Sequence, residues 1–169
     1  MRESDFMRLA LLLILLVANT SFAEQSNKDI ARKMYLEVKK EFKDVPEVTL
    51  SKAKELNKKN EIVFIDVRKK KEREISTIPG AIGTEEFEKN RSKYEDKVIA
   101  VYCTIGYRSA KYIKKLKKKK VRAYNLEGSI LGWVHDSRPV VNKKGKAVKT
   151  VHVYGRSWNH LPEDYKGVW

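Results

Sequence analysis

Val98-Ile-Ala-Val-Tyr-Cys103-Thr-Ile-Gly-Tyr-Arg108-Ser109-Ala-Lys-Tyr-Ile-Lys-Lys-Leu116 is the stretch that decides the fold. Its first five residues are all apolar, the mark of a buried strand ending at Tyr102. From Ser109 to about Lys119 the apolar residues fall at helical spacing, with Ala110, Ile113 and Leu116 on one face. Cys103 and the loop through Arg108 lie between strand and helix. Oriented backbone N–H groups at a helix N-terminus, and the positive end of its dipole, favour thiolate over thiol. The thiolate is the nucleophile. Arg108 adds a fixed positive charge, so the loop suits a sulfur that attacks and then carries an anionic group. A free cysteine is more often an inert small hydrophobe. Here the strand end, the permissive Gly106 and the helix opened by Arg108-Ser109 together favour the reactive role.

Outward from this segment the chain alternates between strand and helix signals. Lys97–Tyr102, the Ser109 helix and a strand at Val121–Tyr124 make a β-α-β unit of the length a parallel crossover needs. Ile62–Ile65 is the other strong strand, closed by Asp66-Val67-Arg68. Val48–Leu50 and the apolar piece after Pro79-Gly80 are shorter. Ser51 is expected to cap a lysine-rich helix to about Asn57, and Thr84 another. Gly128 to Trp133 opens a further helical turn. The pattern predicts an α/β fold with a mainly parallel central sheet flanked by helices. Ligands bind such sheets beyond the carboxyl ends of the strands, where Cys103 falls.

The 169 residues suffice for one core. Leu9 to Ala18 is apolar and Ser21-Phe22-Ala23 is a small-x-small site, so residues 1–23 are expected to be a signal peptide cleaved after Ala23. The protein is then exported, periplasmic or secreted. Residues 24–46 follow as an amphipathic helix, with Ile30, Met34, Val38 and Phe42 near one stripe and Pro46 closing it. The domain proper runs over 47–141. An aromatic-rich extension, 142–169, is expected to fold back onto it, because so many aromatics would not sit free in water. One cysteine in an oxidising compartment cannot form an internal disulfide, which favours a functional role for it.

The net charge is +15. It is concentrated in Lys69–Lys71, Lys114-Lys115, Lys117–Lys120 and Lys143–Lys146. Such a surface attracts small anions and anionic surfaces. No aromatic interleaving supports a nucleic-acid platform, so no nucleic-acid partner is expected. His135, His152 and His160 show no metal-ligand spacing, and neither a metal nor a cofactor is expected.

Four segments, in order, resemble the rhodanese family. They are Ile65-Asp66-Val67-Arg68, then Ile78-Pro79-Gly80-Ala81-Ile82, then Cys103-Thr-Ile-Gly106-Tyr-Arg108-Ser109, then Tyr124-Asn-Leu-Glu-Gly128-Ser-Ile-Leu-Gly-Trp133. The resemblance spans about residues 47–141 and leaves the tail outside it. It implies a sulfurtransferase: Cys103 takes a sulfane sulfur from a small anionic donor, such as thiosulfate or a polysulfide, and passes it to a thiol or cyanide. It further implies that Thr104, Ile105, Gly106, Tyr107, Arg108 and Ser109 surround the persulfide. Asp66, Arg68 and Glu72 are expected to support the loop, with Asp66 or Glu72 as the partner of Arg108. Ser76-Thr77 stands where the family often has Gly-His, and Gly128-Ser129 where it often has Gly-Gly. Thiosulfate-using members often carry further cations in the loop; here Arg108 is alone among Thr104–Arg108.

Two other functions share parts of the pattern. A cysteine-dependent phosphatase also holds a thiolate in an anion-binding loop, but with five residues between cysteine and arginine; this chain has four. A non-catalytic module of the same fold would recognise a partner protein.

Overall fold

In the computed structural model, which describes residues 27–169, two strands set the centre of the sheet. They are β2 (Ile62–Asp66) and β4 (Val98–Tyr102). Side chains alternate across a strand. Ile62, Phe64, Ala100 and Tyr102 therefore enter one apolar cluster, and Val63, Ile65, Ile99 and Val101 the other. Burial on both faces explains why both strands read as continuous apolar runs. Residues 1–26, with the expected signal peptide, its cleavage after Ala23 and the start of the N-terminal helix, lie outside the described residues.

The remaining elements follow in chain order. Helix α1 covers residues 27–41. Then come β1 (Glu47–Val48), α2 (Leu50–Lys58), β2, α3 (Lys70–Ile75), β3 (Ile82–Gly83) and α4 (Thr84–Lys89). After β4 follow α5 (Tyr107–Lys118), β5 (Tyr124–Leu126) and α6 (Ser129–His135). The sheet has five strands in the order β1-β5-β4-β2-β3, all paired in parallel. Helices α1, α2 and α6 pack on one face, α4 and most of α5 on the other. This is the α/β architecture expected from the sequence.

Several boundaries differ for local reasons. The cap of α2 is Thr49, whose hydroxyl accepts from the Lys52 amide at 3.2 Å, and Ser51 sits in the first turn. Gly83, not Thr84, holds the N-cap position of α4. Helix α5 begins at Tyr107, two residues before Ser109, because Gly106 supplies the turn. Strand β5 starts at Tyr124, not Val121. Lys120 adopts a left-handed conformation and the Val121 amide donates to the Leu116 carbonyl, so Val121 ends the helix instead of starting the strand. The buried stripe of α1 is Ala31, Tyr35 and Val38, continued by Phe42 just past its end; Ile30 and Met34 are only half-buried beside it. Each fully buried large apolar side chain on this stripe stabilises the docking by roughly 1.5–3 kcal/mol.

Beyond the sheet, β6 (Val140–Val141) and β7 (Ala147–Val148) form a hairpin. Then β8 (Thr150–His152) and β9 (Lys166–Val168) pair in parallel. Val151, Val153 and Leu161 are buried in the same cluster as α1 and α6, so residues of the C-terminal extension join the core. No helix among the described residues is long and apolar enough to cross a membrane.

Candidate functional site

Cys103 follows the last residue of β4, the middle strand of the sheet, and directly precedes the turn into α5. Its thiol is 2% exposed. The Gly106 amide donates to Sγ at 3.2 Å, and Ser109 Oγ lies 3.7 Å from it. The main chain at Cys103 is fixed from both sides: its amide donates to Ser129 Oγ at 3.3 Å and its carbonyl accepts from the Ile130 amide at 3.1 Å. The Leu131 amide donates to the Thr104 carbonyl at 3.3 Å. The N-terminal turn of α6 thus holds the loop by groups that every helix start leaves unpaired.

Gly106 has φ +104°, a conformation side chains rarely adopt. A Cβ there would meet the Tyr35 ring at 3.0 Å and Asn125 Nδ2 at 3.2 Å. Asn125 Nδ2 donates to the Gly106 carbonyl at 3.1 Å, and Ser109 Oγ donates to Asn125 Oδ1 at 2.7 Å. Tyr35 is itself anchored, its hydroxyl donating to Glu47 Oε2 at 2.6 Å. The loop is therefore clamped between α1, β5 and α6.

Arg108 turns to Glu72. Its two terminal nitrogens donate to Oε2 at 2.8 Å and Oε1 at 2.9 Å, and one also reaches Thr104 Oγ1 at 3.1 Å. Of the two carboxylates expected as partners, Glu72 is the one used. Asp66 instead pairs with Arg68, both side chains fully buried, at 2.7 Å. Arg68 also reaches the Ser76 and His152 carbonyls, joining β2, the turn after α3, and β8. Burial disfavours its charge, but Asp66 outweighs this and its pKa is raised. The Ile78 amide donates to the Tyr102 hydroxyl, that hydroxyl donates to Thr77 Oγ1, and Thr77 donates to Asp66 Oδ2. The Ile78-Pro79-Gly80 turn is thereby tied to the ion pair.

Glu72 is 3% exposed. Burial raises its pKa, yet the hydrogen bonds from Arg108 and from the Lys69 amide, with the charges of Arg108 and Arg68, bring it down to about 2. Arg108 shifts the other way: burial disfavours its charge, but Glu72 and the Cys103 sulfur raise its pKa. His152 lies beside Glu72 at 3.9 Å, its pKa lowered mainly by burial despite the carboxylate. A carboxyl whose pKa falls on folding adds stability above its unfolded value, near 4.3, and loses it as pH drops toward the folded value. Wild type should accordingly lose stability from about pH 5 down to about pH 2. Glu72→Gln should flatten that part of a denaturation-versus-pH curve. Parallel curves for the two proteins would show that the pair does not couple loop and fold.

Cys103, Thr104, Ile105, Tyr107 and Arg108 line a cavity of about 360 Å³ together with Tyr154 and Trp158. The last two come from the extension. The sequence places them only in an extension that folds back on the domain, and it assigns no role at the loop to Tyr35, Asn125 or Ser129, because each acts through a contact distant in the chain. Ser129, which stands where the family often has a second glycine, accepts the Cys103 amide through its hydroxyl. The Cys103–Ser109 loop, Asp66, Arg68 and Glu72 do converge around β4 and α5.

The family model described as Rhodanese-like domain matches residues 49–136. A solved thiosulfate sulfurtransferase from Pseudomonas aeruginosa is 19% identical with a TM-score of 0.54, covering 69% of this chain and 23% of that one. The BH2092 protein of Bacillus halodurans is 25% identical with a TM-score of 0.52, covering 70% of this chain and 88% of that one. A rhodanese-related protein from Thermoplasma volcanium is 27% identical with a TM-score of 0.49, covering 57% and 97%. No functionally curated protein matches this chain.

Proposed function

Because this chain belongs to the rhodanese-like domain family, we propose that it is a sulfurtransferase working through a persulfide on Cys103. The supporting observation is the placement of Sγ: at the end of the central strand, before a 12-residue helix, 3.2 Å from a backbone amide, and open to a cavity. A thiolate there attacks the outer sulfur of a sulfane donor. The new Sγ–S bond forms as the donor's S–S bond breaks, and the leaving group departs with the bonding pair. A thiol or cyanide then takes the outer sulfur and the Cys103 thiolate returns. Each step is a nucleophilic displacement at the transferred sulfur, by a thiolate or by the carbon of cyanide, with a thiolate, sulfite or similar anion leaving, so no general base is needed once the attacking anion exists. In this reading Thr104–Ser109 surround the bound sulfur, while Arg108 positions the loop through Glu72.

The orientation of Arg108 disfavours the phosphatase. A phosphate cradle needs the guanidinium on the anion, and here both terminal nitrogens are on Glu72. Thiocyanate formation from cyanide with thiosulfate or a polysulfide tests the proposal. Turnover with at least one donor, and none on an aryl phosphate, is expected. Cys103-dependent phosphate release without sulfur transfer would reverse the assignment.

Export is proposed with it, from the apolar run Leu9–Ala18 and the Ser21-Phe22-Ala23 site. The mature protein should begin at Glu24. A soluble product retaining Met1 or Met7 would contradict this.

A further inference from the structure

The cavity above Cys103 is completed by residues beyond the matched 49–136 segment. Tyr154 and Trp158 stand edge to face, with ring centroids 6.2 Å apart. The Tyr154 ring lies 5.5 Å from the Arg108 guanidinium carbon. The connection holding them is fixed at both sides. Val153 is fully buried and its amide donates to the Val168 carbonyl at 2.8 Å; the Trp158 amide donates to the Gly155 carbonyl at 2.9 Å. Trp158 packs on the main core cluster. Tyr154 is nonetheless 65% exposed, an aromatic face left open at the cavity.

Charge and surface agree about what fits there. Ile105, Tyr107, Tyr154 and Trp158 present carbon and aromatic rings. Among the described residues the one cation in the lining is Arg108, matched by Glu72 in a two-point pair, with its outer face covered by Tyr154. A compact dianion entering this cavity meets no uncommitted cation among the described lining residues and loses hydration. An apolar or aromatic body instead covers the open ring faces.

We propose that Tyr154 and Trp158 are specificity-determining residues that select sulfane sulfur carried on an apolar organic body over the thiosulfate dianion. The proposal rests on the sulfurtransferase reading and assigns the extension to its substrate. With an organic thiosulfonate, the Cys103 thiolate attacks the terminal sulfur. The Sγ–S bond forms, the bond to the sulfonyl sulfur breaks, and the sulfinate leaves with the electron pair; no proton or outside oxidant is consumed.

Benzenethiosulfonate and methanethiosulfonate carry the same charge and the same reacting sulfur and differ in the organic body. The rate of sulfur loading on Cys103 is measured for each by intact mass and divided by the donor's rate with a free thiol. The aryl donor should be favoured about tenfold in the full chain, the scale on which an apolar pocket discriminates. Tyr154→Ala and Trp158→Ala should each cut that preference about threefold or more, with the methyl donor changed less than about twofold. Tyr154→Leu, which keeps an apolar wall, should fall between. Tyr154 is exposed, so its truncation leaves the core intact, and a thermal melt verifies this. Loading that shows the same aryl preference in Tyr154→Ala as in the parent overturns the proposal while sulfur transfer stands. Failure of both donors to load Cys103 overturns both.

Discussion

Cys103→Ser is expected to bring thiocyanate formation down to the uncatalysed rate, a loss of about a thousandfold or more, in a protein that still folds. The serine hydroxyl is not ionised near neutral pH and is a poor sulfur nucleophile. Its oxygen can still accept from the Gly106 amide, which sits 3.2 Å from Sγ in the parent. The main-chain bonds to Ser129 and Ile130 do not involve the side chain that changes. Unfolding by denaturant should therefore shift little while activity vanishes. Retention of full activity would mean that sulfur is carried elsewhere, and this chain has no other cysteine to carry it.

The largest effect on stability is expected from Arg68→Met. Asp66 and Arg68 are both fully buried and meet through a two-point pair. Removing the cation leaves the Asp66 carboxylate without its counter-charge and the Ser76 and His152 carbonyls without a donor. Breaking a buried pair from one side costs about 3–5 kcal/mol. Against a typical total of about 5–15 kcal/mol, that is a large share. The double variant Asp66→Asn, Arg68→Met should recover part of the loss, because no buried charge remains. A shift below about 1 kcal/mol for Arg68→Met in equilibrium denaturation would show that this pair does not hold the sheet to the extension.

The fold was legible where periodicity and burial coincide. Ile62–Ile65 and Val98–Tyr102 read as buried strands because both of their faces are covered, and Ala110, Ile113 and Leu116 mark the inner face of α5. Boundaries were less legible because they depend on single hydrogen bonds. Thr49 outcompeted Ser51 as a cap, and Val121 was taken by the end of α5. Within the site, the Cys103–Ser109 loop is a contiguous signal. The sequence offers Arg108 two carboxylates, Asp66 and Glu72, and the distinction between them is three-dimensional: the short arm of Asp66 is already held by Arg68. Asn125 lies in a family-like segment and Tyr154 and Trp158 in the aromatic-rich extension, but nothing in the sequence brings these residues or Tyr35 to the loop. Each reaches the loop across a long sequence separation, through a helix face, a strand register or the return of the extension along β8.

Sulfur transfer at this site requires that Cys103 accept and hold a single sulfane sulfur. Intact mass of the reduced protein before and after a brief exposure to polysulfide, with excess donor removed, tests it directly. Wild type should gain one sulfur atom, located on the peptide containing Cys103, lost on adding cyanide and absent from Cys103→Ser. An unchanged mass in the folded wild-type protein, or a gain that persists in Cys103→Ser, would contradict it.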